Sequence, residues 1–294
     1  MTAVNLIVSL PENYRSLEVL QYYGRDQTET SEKACDDGFQ KALWISNYPA
    51  YFAVKFNGTY ASIEADVDAQ LKKDNFKSLV ESIVSRVLGL SQPVSEFESI
   101  AFADHVLRRM VRQTTGLRVP QAVSPWEALI GSVIGQQVSV VAATAMRSRF
   151  VKGLGTAHSS GLYCFPNPAT IAALRADDLR AYGMSSAKAS TIHRLAVSID
   201  SGGFSLETER VSNYFETLSR DLLFFKGVGP WTINYTFLRG YAFLDGSLHG
   251  DVVIRKKTQQ LLGKSMMSAA EVEQWLAQYQ PWRGLLAAHL WAMS

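Results

Sequence analysis

The chain has 294 residues, 47% hydrophobic and 19% charged, and its 29 Lys+Arg against 27 Asp+Glu give a formal net charge of +2. That length suits about two domains, or three small ones, and the balance is globular rather than disordered. Near-neutrality excludes a histone-like polycation, but not a nucleic-acid binder, because helix N-termini and backbone amides hold phosphates without net charge. Only Cys35 and Cys164 carry thiols, which excludes a disulfide scaffold, a four-Cys iron–sulfur cluster and a Cys-rich zinc module, and fits a reducing cytoplasm. Residues 1–10 are apolar but lack a basic leader and a small-residue cleavage site, so no signal peptide is expected. No window reaches about 18 uninterrupted apolar residues, so no transmembrane helix and a soluble protein are expected.

Val4, Leu6 and Val8 alternate as a strand would. Residues 42–65 carry a denser strand signal, with Asn57-Gly58 between aromatic and β-branched runs as a hairpin turn. The spacing predicts a helix over 67–88. Residues 1–91 thus read as an N-terminal α+β domain with an antiparallel sheet. After Pro93 helical patterns follow one another. Ser124-Pro125-Trp126-Glu127 is a helix start, with Ser as N-cap, Pro at N1 and Glu at N3 of a capping box. A second helix starts near Ser139. Further helices are predicted over 168–175, 177–182, 186–200, 208–220, 230–241, 251–262, 268–278 and 283–292. The fold class is mainly α with the N-terminal α+β domain.

The most informative segment is LLFFKGVGPWTINYTFLRGYAFLDGSLHGD, residues 222–251. Gly227 and Gly229 permit a tight turn and close backbone approach, Val228 suits a plug into the apolar layer, and Pro230 suits N1 of the next helix. The amides at that helix start face outward from a positive helix end, which is a phosphate site. This is a helix–hairpin–helix pattern, although a lone Gly-x-Gly is also an ordinary turn.

With LHGDVVIRKK and PWRGLLAAHLW downstream, and ALIGSVIGQQVSV and LRAYGMSSAKA upstream in the same order, almost the whole chain resembles the helix–hairpin–helix DNA glycosylases, closest to the bacterial 3-methyladenine DNA glycosylase II family. The resemblance implies that fold, with residues 92–118 packing with 244–294 in a domain carrying the catalytic Asp, and residues 119–243 forming the domain that carries the hairpin. It implies excision of alkylated bases from duplex DNA by base flipping. It also implies damaged double-stranded DNA as partner, a monomer, no required cofactor, and a bacterial cytoplasmic, nucleoid-associated setting.

Residue by residue, Asp251 matches the family's essential carboxylate, which stabilises an oxocarbenium-like sugar or orients water; on its own it reads equally as an N-cap. Trp231 stands where bifunctional glycosylase/lyases carry the Lys that forms a Schiff base, so a monofunctional enzyme is expected. Trp231, Tyr235 and Trp291 match the base pocket, where electron-rich rings would attract a cationic alkylated purine; without context they read as core aromatics. Tyr22, Tyr23 and Arg25 reach the pocket by a looser alignment. Gln136 and Gln137 fall where the family plugs the duplex, Gln137 in place of an apolar wedge, and also read as a polar loop. Gly227, Val228, Gly229 and Thr232 would meet the DNA backbone, with Arg255 as a further phosphate contact or a solvated face. The carbonyls of Leu223, Phe225 and Val228 match positions that hold a monovalent cation, Na+ or K+. His289 reads as a packed core residue. Lys226 where Pro is common, Pro230, and Val252 where some relatives have an aromatic depart from the family pattern, and Val252 leaves the pocket less π-rich on that side. The rivals are a non-catalytic helix–hairpin–helix DNA-binding protein, a bifunctional oxidised-base glycosylase/lyase and, more distantly, a small-molecule nucleosidase, which has no use for the hairpin. A zinc base deaminase is excluded, because no His-x-Glu with a Pro-Cys-x-x-Cys partner exists.

Overall fold

A computed structural model describes residues 1–206 and 213–293. The chain opens with β1 (Thr2–Ser9), α1 (Leu17–Tyr23), β2 (Glu32–Cys35), β3 (Gly38–Ile45), β4 (Tyr48–Asn57), β5 (Tyr60–Val67) and α2 (Lys73–Val87). The five strands form one antiparallel sheet of order β1-β5-β4-β3-β2. Val4, Leu6 and Val8 point inward while Ile7 between them faces water, which is the period-two pattern of a half-buried strand. Phe39, Phe52, Ile63 and the inner face of α2 (Phe76, Val80, Val84) complete this core.

Two boundaries in this domain differ from the sequence expectation. Asn57 pairs with Tyr60 at the end of the ladder, so Gly58 and Thr59 make the turn, with Gly58 at φ +68°. The helix expected from 67 begins at Lys73. Val67 still pairs with Thr2 and Ala50, the Asp68 amide bonds the Pro49 carbonyl, and Thr2 Oγ1 holds the Leu71 amide, so the sheet claims these residues first.

The helices α3 (Val94–Ala103) and α4 (Arg108–Gln113) share a core with α11 (Val252–Leu262), α12 (Ala269–Ala277) and α13 (Arg283–Ala292). His289 lies in it, fully buried, 2.6 Å from Thr114 Oγ1 and against the Phe97 ring. Burial, with Arg15 adding repulsion, pushes its imidazole down to about 3.

A third core is built from α5 (Pro125–Gly135), α6 (Val140–Leu154), α7 (Pro168–Ala172), a 3₁₀ segment at Ala176–Tyr182, α8 (Ser186–Asp200), α9 (Tyr214–Leu223) and α10 (Pro230–Tyr241). The helix expected over 208–220 is seen as α9, and positions 208–212 lie outside the described residues. Ser124 caps α5 by accepting the Glu127 amide, and Ser139 caps α6 in the same way at Ala142. The capping box at Ser124 is only half made. The Glu127 carboxylate turns away to bond Lys41 and Arg147 instead. A small hairpin of β6 (Thr156–Ala157) and β7 (Tyr163–Cys164) docks the sheet on this core, and Trp44 donates to the Phe165 carbonyl beside it. Among the described residues no helix is long and apolar enough to cross a membrane.

Candidate active site

A cavity of about 1230 Å³ opens where α1, α5, α6, the α9–α10 turn, α10, the start of α11 and the end of α13 meet. Its inner wall belongs to one face of α10. Trp231, Tyr235 and Arg239 are four residues apart and therefore stack along that face. Trp231 lies on Tyr235 with ring centroids 5.2 Å apart and planes 25° from parallel, and Tyr235 meets Trp291 edge-on at 6.1 Å. Tyr22, from α1, closes the wall.

Asp251 stands at the mouth as N-cap of α11. Its Oδ1 accepts the amides of Val253 and Ile254 at 2.9 and 3.1 Å. Its Oδ2 accepts the Trp231 indole N–H at 3.0 Å. The N-cap reading is thus fulfilled, and the same carboxylate is held against the cavity's leading aromatic. Fixed donors on both oxygens set its orientation at little entropic cost. Val252 and Val253 form an exposed apolar lip beside it.

The guanidinium of Arg239 is buried among the rings. Its central carbon lies 4.8 Å from the Tyr22 ring centre, 5.9 Å from Tyr235 and 5.4 Å from Trp291. One of its NH groups donates to the Pro120 carbonyl at 2.9 Å. Arg25 covers Tyr22 at 5.0 Å. Burial alone would push the Tyr235 phenol up, yet Arg239 and Arg25 outweigh it and hold the phenol below its ordinary value. Tyr22 goes the other way, because burial dominates there.

An ionic cluster borders the same cavity, which Glu32, Glu127 and Arg147 help to line. Lys41 Nζ contacts Ser31 Oγ, Glu32 and Glu127 at 2.6, 2.7 and 2.9 Å. Arg147 grips Glu32 at 2.6 and 3.0 Å and Glu127 at 2.6 Å. Burial would raise Glu32, but Arg147 and Lys41 prevail and lower it to about 2. Lys41 is on β3, Glu32 on β2, Glu127 on α5 and Arg147 on α6, so the cluster clamps the sheet to the helices.

The cavity's other edge is the turn between α9 and α10. Gly227 has φ +98°, and a Cβ there would lie 2.2 Å from Thr191 Oγ1, so only glycine fits. Val228 is buried in the core below, and Gly229 caps α10 ahead of Pro230 at N1. Two helices joined by a Gly-Val-Gly turn with a buried central Val make a helix–hairpin–helix.

A family model of the HhH-GPD superfamily base excision DNA repair proteins matches residues 130–279, just over half the chain. The chain belongs to that superfamily. It is similar to DNA-3-methyladenine glycosylase 2 of Escherichia coli, 29% identical over 187 residues that span 63% of each chain. It is similar to DNA-3-methyladenine glycosylase of Bacillus subtilis, 23% identical over 97% of this chain and 96% of the relative. The solved 3-methyladenine DNA glycosylase from Archaeoglobus fulgidus superposes with a TM-score of 0.81 at 17% identity, covering 98% of this chain and 97% of that one, which shows the shared fold.

Within this superfamily fold, Trp231, Tyr235, Trp291, Tyr22, Arg25 and Asp251 meet at one cavity. Tyr23 lines it too, but its ring stacks on Phe39 at 4.3 Å and its hydroxyl donates to the Gln121 carbonyl at 2.6 Å. Gln136 and Thr232 bond each other. Gln136 Nε2 donates to Thr232 Oγ1 and to the Gly227 carbonyl, each at 2.8 Å, so these side chains brace the hairpin. Gln137 is exposed at the rim with φ +55°. Arg255 is not brought to the cavity; it lines a separate hollow with Lys256, Met266 and Glu271. Leu223 ends α9 at the surface, and the Phe225 carbonyl accepts the Val228 amide at 2.9 Å.

The place of Arg239 on the Trp231–Tyr235 face is visible in the spacing, but its burial among the rings is not. The Glu32–Lys41–Glu127–Arg147 cluster is equally hidden. Lys41 interrupts an apolar strand, which is a signal of a buried partner, but nothing local names a partner on α5.

Proposed function

We propose that this protein is a monofunctional DNA glycosylase that removes alkylated bases of the 3-methyladenine and 7-methylguanine type from duplex DNA and leaves an abasic site. The observation that carries the reading is Asp251, oriented by two helix amides and the Trp231 indole at the mouth of an aromatic cavity. Among the described residues no lysine lines that cavity, which favours hydrolysis over a Schiff-base lyase. The names of the Escherichia coli and Bacillus subtilis relatives support the same activity.

In this reading the damaged nucleotide rotates out of the duplex into the cavity, with Gln137 at the gap it leaves. The base lies against the Trp231–Tyr235 wall. As the glycosidic bond breaks, positive charge grows on the sugar, and the Asp251 carboxylate stabilises it and orients the incoming water. The amides after Gly229 hold a backbone phosphate at the helix start. The carbonyls of Leu223, Phe225 and Val228 are proposed to take a monovalent cation. A carbonyl has two lone pairs, so Phe225 retains one beyond its bond to Val228. The protein acts as a monomer on damaged duplex.

The test is release of free base from alkylated duplex by the wild-type protein and Asp251→Asn, with strand breaks scored before and after hot alkali. The expected result is release by wild type, breaks only after alkali, and a loss of about 10²-fold or more in Asp251→Asn. Duplex binding without release of any base by the wild type would sink the enzyme and leave a DNA-binding protein.

A further inference from the structure

The aromatic wall faces a difficulty as a trap for cationic bases. A ring attracts a cation through its negative face, and a cation is already in place. Arg239 sits 4.8, 5.9 and 5.4 Å from the centres of Tyr22, Tyr235 and Trp291, and Arg25 sits 5.0 Å from Tyr22. The neighbouring cluster does not offset this charge, because its two cations, Lys41 and Arg147, are matched by its two carboxylates, Glu32 and Glu127. The other carboxylate lining the cavity, Asp251, is turned to the Trp231 indole and the α11 amides at the mouth. The Nε–H of Arg239 is buried without a hydrogen-bond partner. A buried donor in that state calls for a partner that the protein alone does not supply.

Resting on the glycosylase reading, we propose that Arg239, assisted by Arg25, stabilises negative charge on the departing base, and that this suits the pocket to neutral purine lesions with an acceptor edge. When the bond from C1′ to N9 of a neutral purine breaks, its electron pair leaves with the base, which becomes an anion. The water oxygen bonds to C1′, and the water's proton ends on the released base. A guanidinium beside the purine stabilises that anion as it forms. An N-alkylated purine starts one charge higher. It enters as a cation and leaves neutral, the proton of the water that bonds C1′ passes to solvent, and a guanidinium gives its departure no comparable help. The lowered Tyr235 phenol agrees with this, since the same two guanidiniums favour an oxyanion at that wall.

The ratio of two excision rates isolates this role from a structural one. Single-turnover kcat/KM is measured on duplexes holding one hypoxanthine, a neutral purine with a carbonyl, or one 7-methylguanine, a cationic one. In Arg239→Met the hypoxanthine to 7-methylguanine ratio is expected to fall at least about tenfold, as for loss of one preorganised donor to developing charge. Arg239→Lys is expected to recover part of the fall, and Arg25→Gln to shift the ratio the same way by a smaller factor. A structural loss lowers both rates and leaves the ratio unmoved. A ratio within about twofold of wild type in both Arg239→Met and Arg25→Gln overturns the proposal, because the loss of a donor to developing charge costs far more than that. If Arg239→Met does not fold, exposed Arg25→Gln alone decides the sign. Wild-type release of 7-methylguanine without hypoxanthine also overturns it while leaving the glycosylase standing. Release of neither base overturns the glycosylase reading itself.

Discussion

Two buried sets of charge border the cavity, and they are built on opposite plans. In the Glu32–Lys41–Glu127–Arg147 cluster each cation meets both carboxylates at 2.6–3.0 Å, across four elements. Arg239 has no carboxylate partner. It meets three ring faces, the Tyr235 hydroxyl and one carbonyl, and its Nε–H goes without an acceptor. Charges that close on each other cost desolvation and return geometry, so they serve as a clamp. A charge left open in low dielectric keeps its field for whatever enters the cavity. The first set fixes where the cavity is, and the second decides what it does.

The largest way to break this contrast is Glu32→Ala, which leaves Lys41 and Arg147 with unmatched charge. A loss of about 3–5 kcal/mol is expected in denaturant unfolding. The same group sets an acid limit. Its carboxyl is depressed in the fold from 4.5 to about 2, so the stability it gives is complete above pH 4.5 and is lost as pH falls through about 2. The variant should lack that part of the acid dependence, and a variant that keeps it would show that the cluster is not the clamp.

On the open side, Trp231→Phe keeps an aromatic ring on Tyr235 and removes only the N–H that holds Asp251. Base release is expected to fall about 10–100-fold, the range of a hydrogen bond to a charged group, with melting temperature close to wild type. Equal losses in stability and rate would mean that Trp231 is core rather than a positioner of Asp251. The smallest effect is expected from Gln137→Ala at the rim, with stability within about 0.5 kcal/mol of wild type, as for exposed substitutions, and affinity for damaged duplex lowered by about 1 kcal/mol, as for one lost polar contact. Unchanged affinity would mean that Gln137 does not enter the gap.

The same contrast explains what was legible in the chain. Trp231, Tyr235 and Arg239 share one helix face by spacing alone, and Asp251 is an N-cap by type and position, so that side of the cavity could be read locally. The hairpin could be read as well, because Gly227 is forced by its positive φ and by the approach of Thr191. The clamp could not, since Lys41 and Glu127 are separated by 86 positions and meet only in the folded chain. The helix start at Lys73 was hidden for the same reason. Residues 67–72 have helical spacing, but pairing with β1 and β4 overrides it. The bracing by Gln136 is not legible in the chain, because a polar residue in a turn gives no sign of which way its amide points.

Gln136 has a mechanical consequence. By bonding the Gly227 carbonyl and the Thr232 hydroxyl at once, it rivets the hairpin to the end of α5, and Glu127 near the other end of α5 is bolted through Lys41 to the sheet. A load placed on the hairpin therefore runs along one stiff beam into the N-terminal sheet. Any duplex seated there is the softer partner, so the bending falls on the nucleic acid.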